Sequence, residues 1–148
     1  MPAPERLVRR TLAVNAALSA LTGVVLLVDA VPLADLLGLE EPLALRIVGA
    51  GLLPFAAAAA WASRHAPLAR GAVVAISVLD AAWVLGTLGL AALAPTTFNT
   101  LGWAAAGVTA LAVDACFTGQ VWGLRGLRVG ASGAPLGYAP HHAGRHIA

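Results

Sequence analysis

Apolar residues gather into four long runs along the chain, and short polar links separate the runs. The runs cover about residues 9–29, 43–63, 70–93 and 98–124. Each is long enough for a helix to cross the hydrocarbon core of a bilayer, which takes roughly 20 residues. The pattern therefore predicts an all-α fold: a polytopic membrane protein built as an antiparallel bundle of four transmembrane helices.

The links between the runs predict two local features. Between the first and second runs, Leu33, Leu36 and Leu37 follow helical spacing among acidic residues, which predicts a short helix lying in the membrane interface. The link 94–97 is very short, so the third and fourth runs are predicted to form an antiparallel hairpin.

The chain is predicted to consist of one domain and one tail. After Arg128 the sequence is rich in Gly, Pro, Ser and His, a composition that cannot pack a core. Residues 1–128 are therefore predicted to form the transmembrane domain, and residues 129–148 a flexible cytoplasmic tail. An alternative for the first run is a cleaved signal peptide, with a small residue at Ala30. The run is longer than the roughly 7–15 apolar residues of a signal peptide, and this length favours a membrane span.

Arginine is distributed unevenly between the two sides of such a bundle. Arginine in short loops resists translocation, so the loops that carry it are predicted to be cytoplasmic together with both termini. The basic residues are all Arg, and Ala, Leu and Val dominate, which resembles the coding bias of GC-rich bacteria and predicts the bacterial inner membrane. Eight of the nine Arg residues fall on this one side: Arg6, Arg9, Arg10, Arg64, Arg70, Arg125, Arg128 and Arg145.

Composition excludes several classes of function. Hydrophobic residues make up 59% of the chain and charged residues 11%, whereas charged residues run at about 25% in soluble domains. The predicted partner is thus the lipid bilayer, and no nucleic-acid role is expected because no basic patch is interleaved with exposed aromatics. All four His residues lie outside the runs, and there is no glycine-rich phosphate loop, so no catalytic residue, metal site or cofactor is predicted.

Polar residues inside the runs carry the candidate chemistry. Because a helix rises about 1.5 Å per residue, counting from the cytoplasmic Arg of each span gives an approximate depth. Asp80 lies ten residues from Arg70 and Asp114 lies eleven from Arg125, so both carboxyls are predicted near the midplane, roughly 15–17 Å deep. Three hydroxyl residues on the same predicted faces complete the midplane candidates: Ser77, Thr87 and Thr118.

Two further polar layers follow from the same count. Asn15 and Gln120 each lie five residues from a cytoplasmic Arg, which predicts an inner polar layer. Asp29 and Arg46 both fall near the outer boundary, where they are predicted to form an ion pair that joins the first two helices, with Glu40 and Glu41 as competing partners.

The midplane carboxyls admit three interpretations. An ionisable residue at this depth costs about 2.5–3.5 kcal/mol on insertion scales, so it normally faces the bundle interior. Two such groups at one level repel each other when charged, so one or both are expected to carry a proton. They either hydrogen-bond across the helix pair and set its register, handle a proton or cation, or bind a ligand.

Two short segments carry a resemblance. Leu45-Arg46-Ile47-Val48-Gly49 opens the second span, and the third span contains Leu79-Asp80-Ala81-Ala82-Trp83-Val84-Leu85-Gly86. With the basic start and the acidic first outer loop, this arrangement resembles uncharacterised four-helix inner-membrane proteins of bacteria. In layout it also resembles the DoxX-like proteins, some of which are thought to assist membrane redox systems. The resemblance implies the four-helix fold over roughly the first 125 residues and transfers no catalytic residue.

Three functions are compatible with these patterns. The first is a non-enzymatic scaffold or accessory subunit of an inner-membrane assembly, with a second copy or another membrane protein as its partner, because the spans are rich in small residues that permit helix contacts. The alternative is a small oligomeric transporter or channel that uses Asp80 and Asp114 to bind a proton or cation. The third, implied by the DoxX-like layout, is a membrane redox helper.

Overall fold

The structure, a computed structural model, describes residues 2–132 and contains five α-helices over that range. Four of them are long and apolar enough to cross a membrane, and no strand occurs in these residues. The predicted all-α fold with four candidate membrane spans is therefore confirmed. The helices are α1 (Ala3–Val28), α2 (Ala30–Leu37), α3 (Leu43–Arg64), α4 (Arg70–Leu93) and α5 (Thr100–Ser132).

Two helices extend well beyond the apolar runs. The first begins at Ala3, with a proline in its opening turn, where the missing N–H leaves no intrahelical bond unmade. The last continues to Ser132, so residues 129–132 are helical where the sequence predicted the beginning of a flexible tail. The remainder of the predicted tail, including Arg145, lies outside the described residues.

Successive long helices run in opposite directions, so the bundle has two distinct ends. The start of α1, the α3–α4 link and the last turns of α5 lie at one end, which we call the terminal end. There the Arg9 guanidinium donates to the carbonyl oxygens of Ser63 (2.9 Å) and His65 (2.8 Å) and to a carboxylate oxygen of Glu5 (2.8 and 3.0 Å). A cation in this position satisfies free carbonyls at the end of α3 and complements the helix dipole.

The opposite end, which we call the α2 end, is tied together by Asn99. Its side-chain N–H donates to the carbonyl oxygen of Leu36 (2.9 Å), and its backbone N–H donates to that of Leu37 (3.0 Å). Its side-chain oxygen accepts from the backbone N–H of Gly102 (2.9 Å) in the first turn of α5. Asn99 thus satisfies groups at the ends of two helices, while Gly38, at φ 78°, closes α2 in the left-handed conformation that favours glycine.

Glycines allow α1 to approach its neighbours closely. A Cβ atom added to Gly49 of α3 would lie 2.8 Å from the carbonyl oxygen of Gly23 in α1. On the other side of α1, Gly119 and Gly123 of α5 leave room for the side chains of Thr11 and Val8. Such contacts between small residues are typical of membrane helix pairs, where backbones approach closely enough for extensive van der Waals packing.

A small apolar core closes the terminal half of the bundle, and large apolar residues cover its outside. Many side chains that would be buried in a soluble bundle are exposed, for example Leu85 (67%), Leu93 (88%) and Leu111 (72%). An outer surface this apolar suits lipid rather than water, in agreement with a membrane protein. The core comprises Val8, Leu12, Ala16, Ala59, Ala62, Val73 and Ile76.

Candidate functional site

Asp80 lies at the centre of a buried hydrogen-bond network that joins three helices. The side-chain amide of Asn15, from α1, donates to both carboxyl oxygens of Asp80, at 3.0 Å to Oδ1 and 2.8 Å to Oδ2. The side-chain amide of Gln120, from α5, donates to Oδ2 at 3.0 Å. Asp80 and Asn15 are each 2% exposed and Gln120 is fully buried. The network therefore links α1, α4 and α5 without a surface contact.

Two serines complete this network and set its direction. The hydroxyl of Ser77 lies 2.7 Å from Gln120 Oε1, and that of Ser19 lies 3.4 Å from Asn15 Oδ1. Each amide therefore accepts from a serine hydroxyl and donates to Asp80, so the donors converge on a single carboxyl group. A carboxyl oxygen accepts more than one N–H without difficulty, which explains why Asp serves as the common acceptor.

Helix length explains why these residues meet. Asn15 lies twelve residues after the start of α1, Asp80 lies ten residues after the start of α4, and Gln120 lies twelve residues before the end of α5. Since all three counts begin at the terminal end, the three side chains occupy nearly the same depth. The predicted inner layer of Asn15 and Gln120 is thus found at the level of Asp80 and not between Asp80 and the terminal end.

Asp114 does not join the network. It is exposed, and it lies six residues from Gln120 along α5, which corresponds to about 9 Å along the axis and about 120° around it. The predicted midplane pair of Asp80 and Asp114 is therefore replaced by Asp80 with two amides. The face of α5 that carries Asp114 is otherwise apolar or small, with exposed Ala104, Gly107, Val108, Leu111 and Ala115.

Of the other midplane candidates, two form hydrogen bonds with nearby groups, and the contacts show no role for the third. Ser77 belongs to the network and also lies 2.9 Å from the carbonyl oxygen of Val73. The Thr87 hydroxyl donates to the carbonyl oxygen of Trp83 (3.0 Å), one turn earlier in α4. Thr118 is partly buried on α5.

The predicted outer ion pair is absent from the part of the chain that the structure describes. Asp29 and Arg46 are both exposed and do not pair with each other, whereas Arg9 forms an ion pair with Glu5. Asp29 stands between α1 and α2, whereas Arg46 follows the first turn of α3. Both groups lie at the exposed α2 end, where an ion pair would add only about 0–1 kcal/mol, so nothing compels them to meet.

A half-open cavity of about 610 Å³ adjoins the network, and all four long helices line it. Trp83 lines it one turn beyond Asp80 on α4. The polar residues of its wall also include Asn15, Ser19, Thr22, Asp80 and Thr109. The indole Nε1 of Trp83 is buried and donates to no acceptor within the described residues. Sequence patterns did not reveal this cavity, because it depends on how α3 and α4 are spaced.

The groups that meet at this site are one carboxyl, two amides and two hydroxyls, joined by hydrogen bonds. Within residues 2–132 no group of three or more His, Cys, Asp or Glu side chains is placed to hold a metal ion. No family model, curated protein or solved structure matches the chain. Two features bear on function: the buried carboxyl of Asp80 beside a cavity, and the exposed carboxyl of Asp114 inside a candidate membrane span.

Proposed function

We propose that the protein is a non-enzymatic accessory subunit of a membrane assembly, and that the Asp114 face of α5 contacts a transmembrane helix of another subunit. We define the Asp114 face as Asp114 with its exposed neighbours Ala104, Gly107, Val108, Leu111 and Ala115. A redox assembly, as the DoxX-like layout implies, would be one form of such a complex.

The exposure of Asp114 is the observation that carries this proposal. The candidate membrane span of α5 runs Thr100–Arg128, and Asp114 lies fourteen residues from each of its ends. A carboxyl group in contact with lipid inside a span costs about 2.5–3.5 kcal/mol on insertion scales, so such residues are usually covered by protein. The span is also the least buried of the four, and small residues on the Asp114 face permit close approach of another helix.

Charge favours a different subunit over a second copy of this chain. Among the described residues, the basic side chains lie near helix ends or in links, and none lies near the middle of a span. A second copy would therefore offer Asp114 no basic partner at its own depth. A different subunit with an Arg, Lys, His or amide side chain at that depth would satisfy the carboxyl.

Location and orientation form part of the same proposal. Seven Arg residues of the described chain belong to segments at the terminal end, and this distribution supports a cytoplasmic terminal end in the bacterial inner membrane. The α2 end would then face the opposite compartment.

A transport function has one observation in its favour, the cavity that Asp80 helps to line. Two other observations argue against a transport function. The apolar core closes the bundle on the terminal side of Asp80, and Asp80 is buried whereas Asp114 is exposed on α5. We therefore favour the accessory subunit.

The proposal is tested by replacing Asp114 in the organism that makes the protein. Asp114→Leu should release the chain from a larger complex, seen as a shift to the free protein on native gels after mild detergent extraction, while the thermal stability of the purified chain is unchanged. Asp35→Leu is the matched control, since Asp35 is also an exposed carboxylate but lies on α2. Co-migration of Asp114→Leu with the wild-type complex, or a wild-type protein that occurs only as a monomer or as a self-assembled oligomer, would contradict the proposal.

A further inference from the structure

The cavity beside Asp80 has the size and wall chemistry of a small-molecule site. Its volume of about 610 Å³ falls within the roughly 300–1,000 Å³ of ordinary ligand pockets, which are mainly apolar with a few placed polar groups. The apolar wall includes Leu18, Leu52, Phe55, Leu79 and Val113. A ligand that fills it must therefore carry a substantial apolar body.

Two residues of the wall, Asp80 and Trp83, have hydrogen-bonding capacity that their contacts in the described chain leave unused. Asp80 Oδ1 accepts one N–H, from Asn15, whereas Oδ2 accepts two. Since a carboxyl oxygen has two lone pairs, Oδ1 has capacity for one more donor. Three residues further along α4, the buried Nε1–H of Trp83 lacks an acceptor in the described chain, although a buried indole N–H usually has one. One position can thus accept a hydrogen bond and the other can donate one.

A hydroxyl group has both of the complementary properties. Its oxygen accepts a hydrogen bond and its proton is donated, so one hydroxyl matches the Trp83 donor and the Asp80 acceptor. A carbonyl or an ether would match Trp83 alone. A primary amine would need a desolvated charge or a proton from the site, which makes it a poorer fit to an apolar cavity.

The bilayer is the source from which such a ligand would enter. The lining residues lie inside the four candidate membrane spans. The apolar core closes the terminal side, and α3 and α4 pack against each other more loosely than the other neighbouring long helices. A molecule dissolved in lipid therefore has shorter access than a water-soluble one.

We propose that this cavity binds a membrane-soluble alcohol, with the apolar body against the wall of α1, α3, α4 and α5 and the hydroxyl between Trp83 Nε1 and Asp80 Oδ1. Of the Asp114 face, only Val108 also lines this cavity, and the binding proposal does not depend on the accessory-subunit proposal.

The experiment measures binding of two radiolabelled alcohols, farnesol and menthol, to the full chain in lipid nanodiscs. At least one should bind saturably, and farnesane, the saturated hydrocarbon that has the carbon skeleton of farnesol and no hydroxyl, should bind more weakly. Trp83→Phe removes one hydrogen bond and should weaken alcohol binding by about 3- to 10-fold. Trp61→Phe is its control, because Trp61 is exposed outside the cavity.

A second pair of variants tests the cavity itself. Gly51 lines the cavity, and a Cβ atom there meets nothing within 4 Å, so Gly51→Leu should fill the space and abolish binding. Gly86 is also open on α4 but does not line the cavity, so Gly86→Leu should bind like the wild type. The proposal is overturned if neither alcohol binds saturably, if Gly51→Leu binds as well as Gly86→Leu, or if farnesane binds as tightly as farnesol.

Discussion

Asp80→Leu is expected to destabilise the bundle by about 3–5 kcal/mol, because it leaves buried polar groups without their partner. The amides of Asn15 and Gln120 would lose all three hydrogen bonds to the carboxyl. Leucine has the same branching at Cγ and is larger than aspartic acid, so the loss does not come from an empty cavity. The free energy of unfolding, measured by denaturant titration in mixed micelles, gives this value directly.

Two further variants make the Asp80 result interpretable. Asp80→Asn keeps one acceptor but adds a donor where donors already converge, so its stability should lie between the wild type and Asp80→Leu. Asp114→Leu makes the same chemical change at an exposed position of α5 and should alter the stability of the isolated chain by about 0.5 kcal/mol or less. Equal losses for Asp80→Leu and Asp114→Leu would show that the network does not hold the helices together.

Gly123→Leu is expected to be the most disruptive substitution at the contact between α1 and α5. Even a Cβ atom there would overlap the Val8 side chain and lie 3.0 Å from the carbonyl oxygen of Pro4, so a larger side chain forces the helices apart. Overpacking of this kind typically lowers the free energy of unfolding by about 1–3 kcal/mol and occasionally more. We expect a loss at the upper end of that range, because one of the contacts is with a backbone atom.

The same substitution at Gly107 is the matched control. Gly107 lies on the same helix, and a Cβ atom there meets nothing within 4 Å. Thermal melting of purified Gly107→Leu should resemble that of the wild type, whereas Gly123→Leu should melt at a clearly lower temperature or fail to fold. If both variants melt alike, α1 and α5 are not packed as described.

The sequence was sufficient to predict the elements of this fold but not their mutual rotation. Apolar runs of about 20 residues identify membrane helices because lipid leaves the backbone no other way to satisfy its polar groups. The spacing of Leu33, Leu36 and Leu37 likewise predicted a short helix, found as α2. These signals are local in the chain, so they can be recognised without knowledge of how the helices pack.

The composition of the polar site was harder to predict, and α5 shows why. Depth counted from Arg125 placed Asp114 level with Asp80, yet α5 continues seven residues beyond Arg125. Gln120 is consequently the residue that reaches Asp80. Depth also says nothing about rotation around the axis, which turns Asp114 outward. Counting from the true helix ends would have aligned Asn15, Asp80 and Gln120.

The cavity and the unpartnered indole of Trp83 could not be predicted from the sequence. They depend on the separation of α3 from α4 and on the rotamer of one side chain, and neither is encoded in periodicity. Trp83 is distinguished in the sequence only by its depth within a span.

Site-specific photo-crosslinking in native membranes tests the contact of the Asp114 face with another subunit most directly. A photoreactive residue at position 111 lies on that face, and one at position 85 lies on an exposed part of α4. We expect position 111 to crosslink to a different membrane protein that carries a basic or amide side chain within a span, and position 85 to crosslink to lipid. The yield from position 111 should fall by about 5-fold or more when Asp114→Leu is present. Crosslinking of position 111 to lipid alone or to a second copy of this chain, or a yield unaffected by Asp114→Leu, would contradict the proposed contact.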